Sequence, residues 1–179
     1  VICVSSGTAA LQLAVKTITK LKEEVLVPSL TFVASFQAIS AAGALPVACD
    51  VHLESGNIDL RDAETRLTKR TKAIMPVHYA SNPGNLDELY EFAKKHKLRV
   101  IEDAAHAFAC TYNQRKIGSF GDIICFSFDG IKNITSGEGG AVVTDDPRVA
   151  QHIKDARLLG ISKDTEKRLA DERSWNFDV

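Results

Sequence analysis

The sequence lacks several features that would place it in common functional classes. Its 179 residues carry 22 Lys and Arg against 23 Asp and Glu, so it has no basic excess to attract nucleic acids or anionic membrane surfaces. It contains no apolar run long enough to cross a membrane, and no charged segment followed by an apolar core marks a secretory signal. We therefore expect a cytoplasmic protein with neither nucleic acid nor membrane as a partner.

Cysteine and histidine are sparse and scattered. The four cysteines show no CxxC spacing, and Cys3, Cys49 and Cys125 lie in apolar, strand-like runs, which predicts reduced, buried thiols rather than disulfides. The histidines have no spacing typical of a metal-ligand cluster, so we expect no metal site. They are His52, His78, His96, His106 and His152.

Short β-rich runs alternate with helical periodicity, which is typical of a mainly parallel sheet covered by helices. The sequence predicts a three-layer α/β/α domain over residues 1–179 with a mainly parallel mixed sheet, and Asn85 and Asp146-Pro147 are predicted at helix starts. A charged tail at residues 162–173 is predicted to be a surface excursion. Because the chain starts inside a strand and stops in the apolar run 177–179, we expect a longer protein, cut at both ends. The predicted strands span residues 1–4, 25–27, 45–51, 73–77, 98–103, 122–128 and 141–144.

The segment Ser6-Gly7-Thr8 closes the first predicted strand and opens the first predicted helix. Its free backbone N–H groups lie at the positive end of the helix dipole, and Gly7 lets the backbone approach a ligand closely. The hydroxyls of Ser6 and Thr8 can donate hydrogen bonds. These features fit a phosphate-binding turn, although on its own such a segment more often marks an ordinary helix N-cap.

Asp103 ends an apolar strand at the edge where open parallel sheets bind their ligands. A carboxylate buried there needs a partner, and a pyridinium N–H is a suitable one. The alternative is a helix cap for the Ala104-Ala105 segment. His106, three residues further on, can reach an oxygen of the same ligand, whereas a single histidine is more often structural.

Lys132 follows the strand predicted at residues 122–128, in a loop rich in Ser, Gly and Asn. A loop lysine is normally a solvated surface charge. Here Ser127 precedes it as a hydroxyl within reach of a phosphate, and a glycine-rich segment leads back into a strand. One chemistry needs both a lysine and a buried carboxylate. The amine forms an imine with an aldehyde cofactor, and the carboxylate keeps that cofactor's pyridine nitrogen protonated.

Five blocks follow one another along the chain: SSGTAAL, PSLTFVAS, PVHYA, VIEDAAHA and FSFDGIKNITSGEGGAVVT. In this order they resemble the DegT/StrS family of sugar aminotransferases, and the likeness covers nearly the whole chain. Members of this family are fold-type I pyridoxal-phosphate enzymes that act on nucleotide-linked keto sugars. The runs PVHYA, NLDELY and IKNIT are most similar to enzymes that aminate C4 of UDP-4-keto sugars.

The resemblance implies roles for individual residues. Lys132 would form the imine, and Asp103 would pair with the pyridinium nitrogen. His106 lies where the family has Gln or His beside the cofactor's phenolic oxygen, and Phe32 where an aromatic side chain stacks on the ring. The residues implied at the phosphate are Gly7, Thr8 and Ser127. The lysine itself favours transamination, because a sugar-dehydrating relative of the family has histidine in its place.

The implied reaction transfers an amino group from an amino acid, with glutamate as the expected donor, to a nucleotide-linked keto sugar. It would serve the biosynthesis of cell-surface polysaccharides or deoxyamino sugars, in a homodimer. Family members are about twice this length, so we expect the fold-type I large domain without its C-terminal small domain.

Two alternatives stay open at this point. One is a large domain that folds and dimerises without turnover. The other is a different fold-type I enzyme acting on amino acids, which would need an arginine for the substrate carboxylate, and none can be placed from the sequence. His78 and Glu138, near the predicted strand ends, are further candidates for a direct role.

Overall fold

A computed structural model describes residues 1–158, in which strands and helices alternate along the chain. The helices are α1 (Gly7–Ile18), α2 (Val33–Ala41), α3 (Leu60–Thr65), α4 (Leu86–His96) and α5 (Pro147–Ala156). The strands are β1 (Ile2–Val4), β2 (Glu24–Pro28), β3 (Leu45–Cys49), β4 (Thr71–Ile74), β5 (Arg99–Asp103), β6 (Thr111–Tyr112), β7 (Arg115–Lys116), β8 (Ile123–Ser127) and β9 (Gly140–Thr144). A short 3-10 helix, Tyr79–Ser81, lies between β4 and α4.

Seven of these strands form one mixed sheet in the order β1-β9-β8-β5-β4-β2-β3. Neighbours from β3 through to β8 run parallel, whereas β9 is antiparallel to both β8 and β1. The mainly parallel mixed sheet predicted from the sequence is therefore confirmed. Strands β6 and β7 form a separate two-stranded hairpin.

Apolar side chains are buried on both faces of the sheet, which gives three layers. Helices α1, α2 and α5 cover one face, where Leu11, Ile39 and Ile153 pack against strand residues such as Ile101. Helices α3 and α4 cover the other face and bury a second set of residues, which includes Leu89. Strands covered on both faces read as continuous apolar runs, and β2 and β8 are buried along their whole length.

Polar side chains fix where the helices begin. The Oδ1 atom of Asn85 accepts a hydrogen bond of 3.2 Å from the Glu88 N–H at the start of α4. Asp146 caps α5 in the same way, with Pro147 in the first turn. Both predicted caps are confirmed. Among the helices of residues 1–158, none is both long and apolar enough to span a bilayer.

The structure differs from the sequence-based prediction at several places, which include Cys3, the β6–β7 hairpin and the bounds of β4. The pattern predicts a buried Cys3, but this residue is exposed, because in the edge strand β1 it alternates with the buried Ile2. The β6–β7 hairpin is absent from the prediction, because its strands are too short to show alternation. Its turn uses Asn113 and Gln114, at φ of +48° and +63°, instead of glycine. The charged tail at residues 162–173 lies outside the described residues.

Candidate active site

Asp103 lies at the C-terminal end of β5, where the sequence predicts it, and is 6% exposed. Its Oδ2 accepts a hydrogen bond of 2.8 Å from the Ser35 hydroxyl, and its Oδ1 accepts one of 3.2 Å from the Ala105 N–H. Residues 104 and 105 form no helix, so the helix-cap alternative is wrong. Each carboxylate oxygen keeps capacity for a further donor, because an ionised carboxylate has about four acceptor sites.

Three other predicted residues meet near the same strand end. The Lys132 amine nitrogen lies 3.2 Å from Nε2 of His106 and 6.0 Å from the centre of the Phe32 ring. These side chains come from three separate segments, since His106 follows β5, Phe32 precedes α2, and Lys132 lies in the loop after β8. The Phe32 side is open, because this residue is 71% exposed. A flat ligand can therefore pack against its ring.

His106 has an altered proton affinity at this position. Partial burial lowers the pKa of His106 from its ordinary value of 6.5, and the positive charge of Lys132 lowers it further, while Asp103 acts in the opposite direction. A neutral imidazole with its lone pair on Nε2 can accept a hydrogen bond from the Lys132 ammonium group. The Lys132 amine and the His106 ring can therefore share one hydrogen bond.

The first turn of α1 lies unusually close to the end of β8. A Cβ atom at Gly7 would lie 2.7 Å from Cβ of Ser127 and 3.0 Å from its Oγ, so the approach requires glycine. The Ser6 hydroxyl accepts a hydrogen bond from the Ala9 N–H and caps the helix. Gly7 and Thr8 follow as the first helical residues, whose N–H groups have no carbonyl partner within a helix. No acidic residue occupies this turn, so its positive end is available to an anion.

The register of the sheet brings these groups to one edge. Strands β5 and β8 run parallel with Asp103 opposite Cys125, so Ser127 lies just beyond the level of Asp103 on the neighbouring strand. Gly140, at the start of β9, pairs with Ser127 on one side and with Val4 on the other. The helix start after β1 therefore lies beside the strand end that carries the buried carboxylate.

His78 and Glu138 are not part of this group. His78 is fully buried, and its Nε2 lies 3.0 Å from Oε2 of the buried Glu102, within ion-pair distance. Its backbone N–H donates to the carbonyl of Asp103 at 3.0 Å. Tyr90 donates a 2.6 Å hydrogen bond to the other Glu102 oxygen, so His78 belongs to a buried polar network. Glu138 is exposed, and within residues 1–158 its side chain forms neither a hydrogen bond nor an ion pair.

Ser35 is a site residue that the sequence analysis misses. It is fully buried, at the third position of α2, and its partner Asp103 lies 68 residues further along the chain. The local sign is a hydroxyl among the buried residues of this helix, one turn after the hydroxyl of Thr31. The Oγ1 atom of Thr31 lies 2.7 Å from the Ser35 Oγ.

The group faces solvent at the edge of the sheet. Two cavities, of about 320 and about 530 Å³, lie elsewhere and are not lined by Asp103, His106 or Lys132. In the part of the chain that the structure describes, no set of three or more His, Cys, Asp or Glu side chains is placed to hold a metal ion. The arrangement instead presents an amine, a buried carboxylate, an exposed aromatic ring and a helix start without acidic residues.

The sequence matches the DegT/DnrJ/EryC1/StrS aminotransferase family model over residues 1–177. It is 41% identical over 179 residues to the spore coat polysaccharide biosynthesis protein SpsC of Bacillus subtilis (strain 168), a match that covers 99% of this chain and 46% of SpsC. It is 46% identical over 144 residues to the GDP-perosamine synthase of Escherichia coli O157:H7, covering 80% of this chain and 40% of that protein.

The structure is similar to that of S. venezuelae DesV in complex with a ketimine intermediate. The TM-score is 0.87 at 40% sequence identity, and the match covers 92% of this chain and 45% of DesV. The fold is therefore the α/β large domain of fold-type I aminotransferases, as the resemblance implies. The chain spans about half the length, or less, of the relatives it matches.

Proposed function

This chain belongs to the DegT/DnrJ/EryC1/StrS aminotransferase family, and on that premise we propose that it is the cofactor-binding domain of a pyridoxal-phosphate-dependent aminotransferase. The domain would comprise residues 1–179 of a longer protein. One observation carries the proposal. Lys132, His106 and Phe32 meet near the strand end that presents the buried Asp103 carboxylate.

The residues present fit pyridoxal phosphate at each of its polar groups. Asp103 has acceptor capacity left for a ring N–H beyond the two hydrogen bonds it already accepts. The glycine at position 7 keeps open a space next to Ser127 that any Cβ atom would fill. Backbone N–H groups of Gly7 and Thr8, together with the Ser127 hydroxyl, would bind the phosphate. The exposed ring of Phe32 would pack on a face of the pyridine ring.

When bound, pyridoxal phosphate supplies an electron-accepting ring that stabilises negative charge at the α-carbon of an attached amino acid. Asp103 would hold the proton on the ring nitrogen. Lys132 would provide the amine that links to the aldehyde and, once released, would carry a proton to and from the substrate carbon. Neutral His106 would stand beside the phenolic oxygen and keep the Lys132 amine oriented.

We propose a nucleotide-linked keto sugar as the amino acceptor and glutamate as the donor. The names of two relatives support this class, since SpsC is named for spore coat polysaccharide biosynthesis and the other relative for GDP-perosamine. The product would enter cell-surface polysaccharides or deoxyamino sugars. The alternative is an enzyme of amino acid metabolism that uses a keto acid as the amino acceptor. A comparison of the two acceptor classes distinguishes these possibilities.

We further propose that the protein acts as a cytoplasmic homodimer. The exposed apolar side chains around the candidate site support an interface there. Phe32 is 71% exposed, Val33 52% and Ile131 87%. Burying such a group against a second copy would remove it from water and shield the amine of Lys132.

The central test is covalent labelling of the full-length protein. Pyridoxal phosphate is added, the protein is reduced with borohydride, and the modified lysine is located by peptide mass spectrometry. We expect the label on Lys132. Lys132→Met should abolish it, whereas Lys94→Met, at an exposed lysine on α4, should leave it intact. A label retained by the Lys132 variant, on another lysine, would overturn the assignment.

The substrate class has its own test. The loaded protein is supplied with glutamate and either nucleotide-linked 4-keto sugars or common keto acids, and amino transfer is measured by mass spectrometry. We expect turnover with the sugars. Turnover with keto acids alone would show a different amino acceptor while leaving the cofactor assignment standing.

A further inference from the structure

The Asp103 carboxylate is held by a short chain of hydroxyl groups. The Ser35 Oγ lies 2.8 Å from Oδ2 of Asp103, and the Thr31 Oγ1 lies 2.7 Å from the Ser35 Oγ. Ser35 is fully buried, and Thr31 is partly buried. A buried hydroxyl that donates its only proton to a carboxylate stabilises the ionised form of that carboxylate and fixes its orientation.

The number of protons on the three side chains determines which of them donates each hydrogen bond. An ionised carboxylate only accepts hydrogen bonds, so the Ser35 hydroxyl must donate to Asp103. Ser35 then has no proton left for Thr31, and Thr31 must donate to the Ser35 oxygen. Both hydroxyl dipoles therefore point towards the carboxylate, and each strengthens the other.

The two oxygens of Asp103 are tied to different elements. Oδ2 is bound to α2 through Ser35, and Oδ1 is bound to the Ala105 N–H in the turn after β5. The carboxylate plane is therefore fixed from two sides. Phe32 is the N-cap residue of the same helix, so one helix start carries both the exposed aromatic ring and the hydroxyl that holds Asp103.

We propose that Ser35, supported by Thr31, is a positioning residue that sets the orientation and basicity of the Asp103 carboxylate towards a pyridine nitrogen. The inference rests on the proposed function, because it takes Asp103 as the partner of the cofactor ring. Ser35 itself contacts no ligand, since it is buried beneath the carboxylate. Its whole effect passes through Asp103.

Ser35→Ala in the full-length protein removes the hydroxyl that donates to Asp103 and leaves the rest of the side chain in place. Without that donor the carboxylate loses one of its two anchors, and the dissociation constant for pyridoxal phosphate should rise about tenfold, or about 1.4 kcal/mol. Ser40→Ala is the matched control, because Ser40 is an exposed serine on the same helix. It should leave the dissociation constant unchanged.

A spectroscopic measurement separates positioning from a general loss of packing. A ring nitrogen that is less well held in its protonated form makes the linked lysine nitrogen more basic. The pH midpoint of the lysine-linked cofactor's absorbance should therefore move upward in Ser35→Ala, by about half a pH unit or more. Ser40→Ala should not move it. Equal midpoints in Ser35→Ala and the wild-type protein would overturn the proposal.

A double-mutant cycle tests whether Ser35 acts through Asp103. In an Asp103→Ala background, Ser35→Ala should weaken cofactor binding no further, because residue 103 then has no side-chain acceptor for the Ser35 hydroxyl. An undiminished effect in that background would show that Ser35 acts elsewhere, and would refute the inference. If the wild-type protein bound no cofactor at Lys132, the proposed function would fail instead, so the two failures are distinct.

Thr31 gives an independent test should Ser35→Ala fail to fold. Thr31→Val keeps the side-chain shape and removes only the hydroxyl, and it should shift the absorbance midpoint in the same direction by a smaller amount. Thr31→Ser restores the hydroxyl and should return the midpoint to its wild-type value. Equal midpoints in the valine and serine variants would contradict the hydrogen bond assigned from Thr31 to Ser35.

Discussion

Replacing Gly7 with alanine tests the close contact between α1 and β8 on which the candidate phosphate site depends. The new Cβ would lie 2.7 Å from Cβ of Ser127, 3.0 Å from its Oγ and 3.3 Å from its Cα. Two of these atoms belong to a side chain that is 6% exposed and has little room to move. The third belongs to the backbone of a strand buried along its whole length.

The expected cost follows from these distances. Carbon atoms pack best at about 3.5–4.0 Å, so helix and strand must separate by about 1 Å. Overpacking of this kind costs about 1–3 kcal/mol. Alanine also restricts the unfolded chain, which favours folding by about 0.4–1 kcal/mol. The clash is the larger effect, and we expect the free energy of unfolding to fall by about 1–2 kcal/mol.

Urea denaturation of the cofactor-free, full-length protein, followed by circular dichroism, measures this loss as a shift in midpoint at constant slope. Gly130→Ala is the matched control, because a Cβ there would meet only the Gly137 carbonyl at 3.9 Å. Ser127→Gly removes the two nearest atoms. In combination with Gly7→Ala it should therefore recover about 1 kcal/mol relative to the sum of the single variants.

Two results would refute this reasoning. A loss of stability in Gly7→Ala no larger than that in Gly130→Ala would mean that α1 does not approach β8 as described. Alternatively, the effects of Gly7→Ala and Ser127→Gly could add without coupling, which would place the strain somewhere other than between these two residues.

Three further predictions concern proton affinity and the buried polar network. Tyr90→Phe removes the hydroxyl that donates to the buried Glu102, and we expect the free energy of unfolding in urea to fall by about 1.5–3 kcal/mol. NMR titration of the cofactor-free protein should place the pKa of His106 below 6.5, and Lys132→Met should raise it. Because this folded pKa lies below the unfolded one, His106 lowers stability only as pH falls through and below 6.5. Burial raises the pKa of the Cys49 thiol to about 11, so alkylation at pH 8 should be far slower in the folded than in the unfolded protein.

Each of these predictions has a contrary outcome. A Tyr90→Phe protein as stable as the wild type would show that Glu102 does not depend on the phenol. A His106 pKa that does not change in Lys132→Met would contradict the 3.2 Å distance between the two side chains. Alkylation of Cys49 as fast as that of the exposed Cys3 would contradict the burial of its thiol.

Local pattern was enough to predict much of this domain. The alternation of apolar runs and helical periodicity gave the parallel part of the sheet, because each element buries a face that its own residues define. Asn85 and Asp146 act as caps through neighbours only a few residues away, so the sequence shows them directly. The apolar run before Asp103 predicts that this residue ends a strand, and it is the last residue of β5.

Contacts between distant segments were not predictable in the same way. The hydrogen bond from Ser35 to Asp103 joins an apolar helix to a strand that shares no local pattern with it. The sequence suggests His78 as a candidate site residue near a strand end. In the structure its ring instead points into the interior, towards Glu102. The antiparallel course of β9 likewise depends on its pairing partners, not on its own composition.

The pairing of β1 with β9 has a consequence for the order of events during synthesis. Ile2 lies opposite Val142, so β1 has no partner until nearly all of the segment between these two residues has been translated. Until then the turn that follows β1 lacks its contacts with Ser127 and Gly140. The contact between Gly7 and Ser127 therefore forms late in synthesis, although Gly7 precedes Ser127 in the chain by 120 residues.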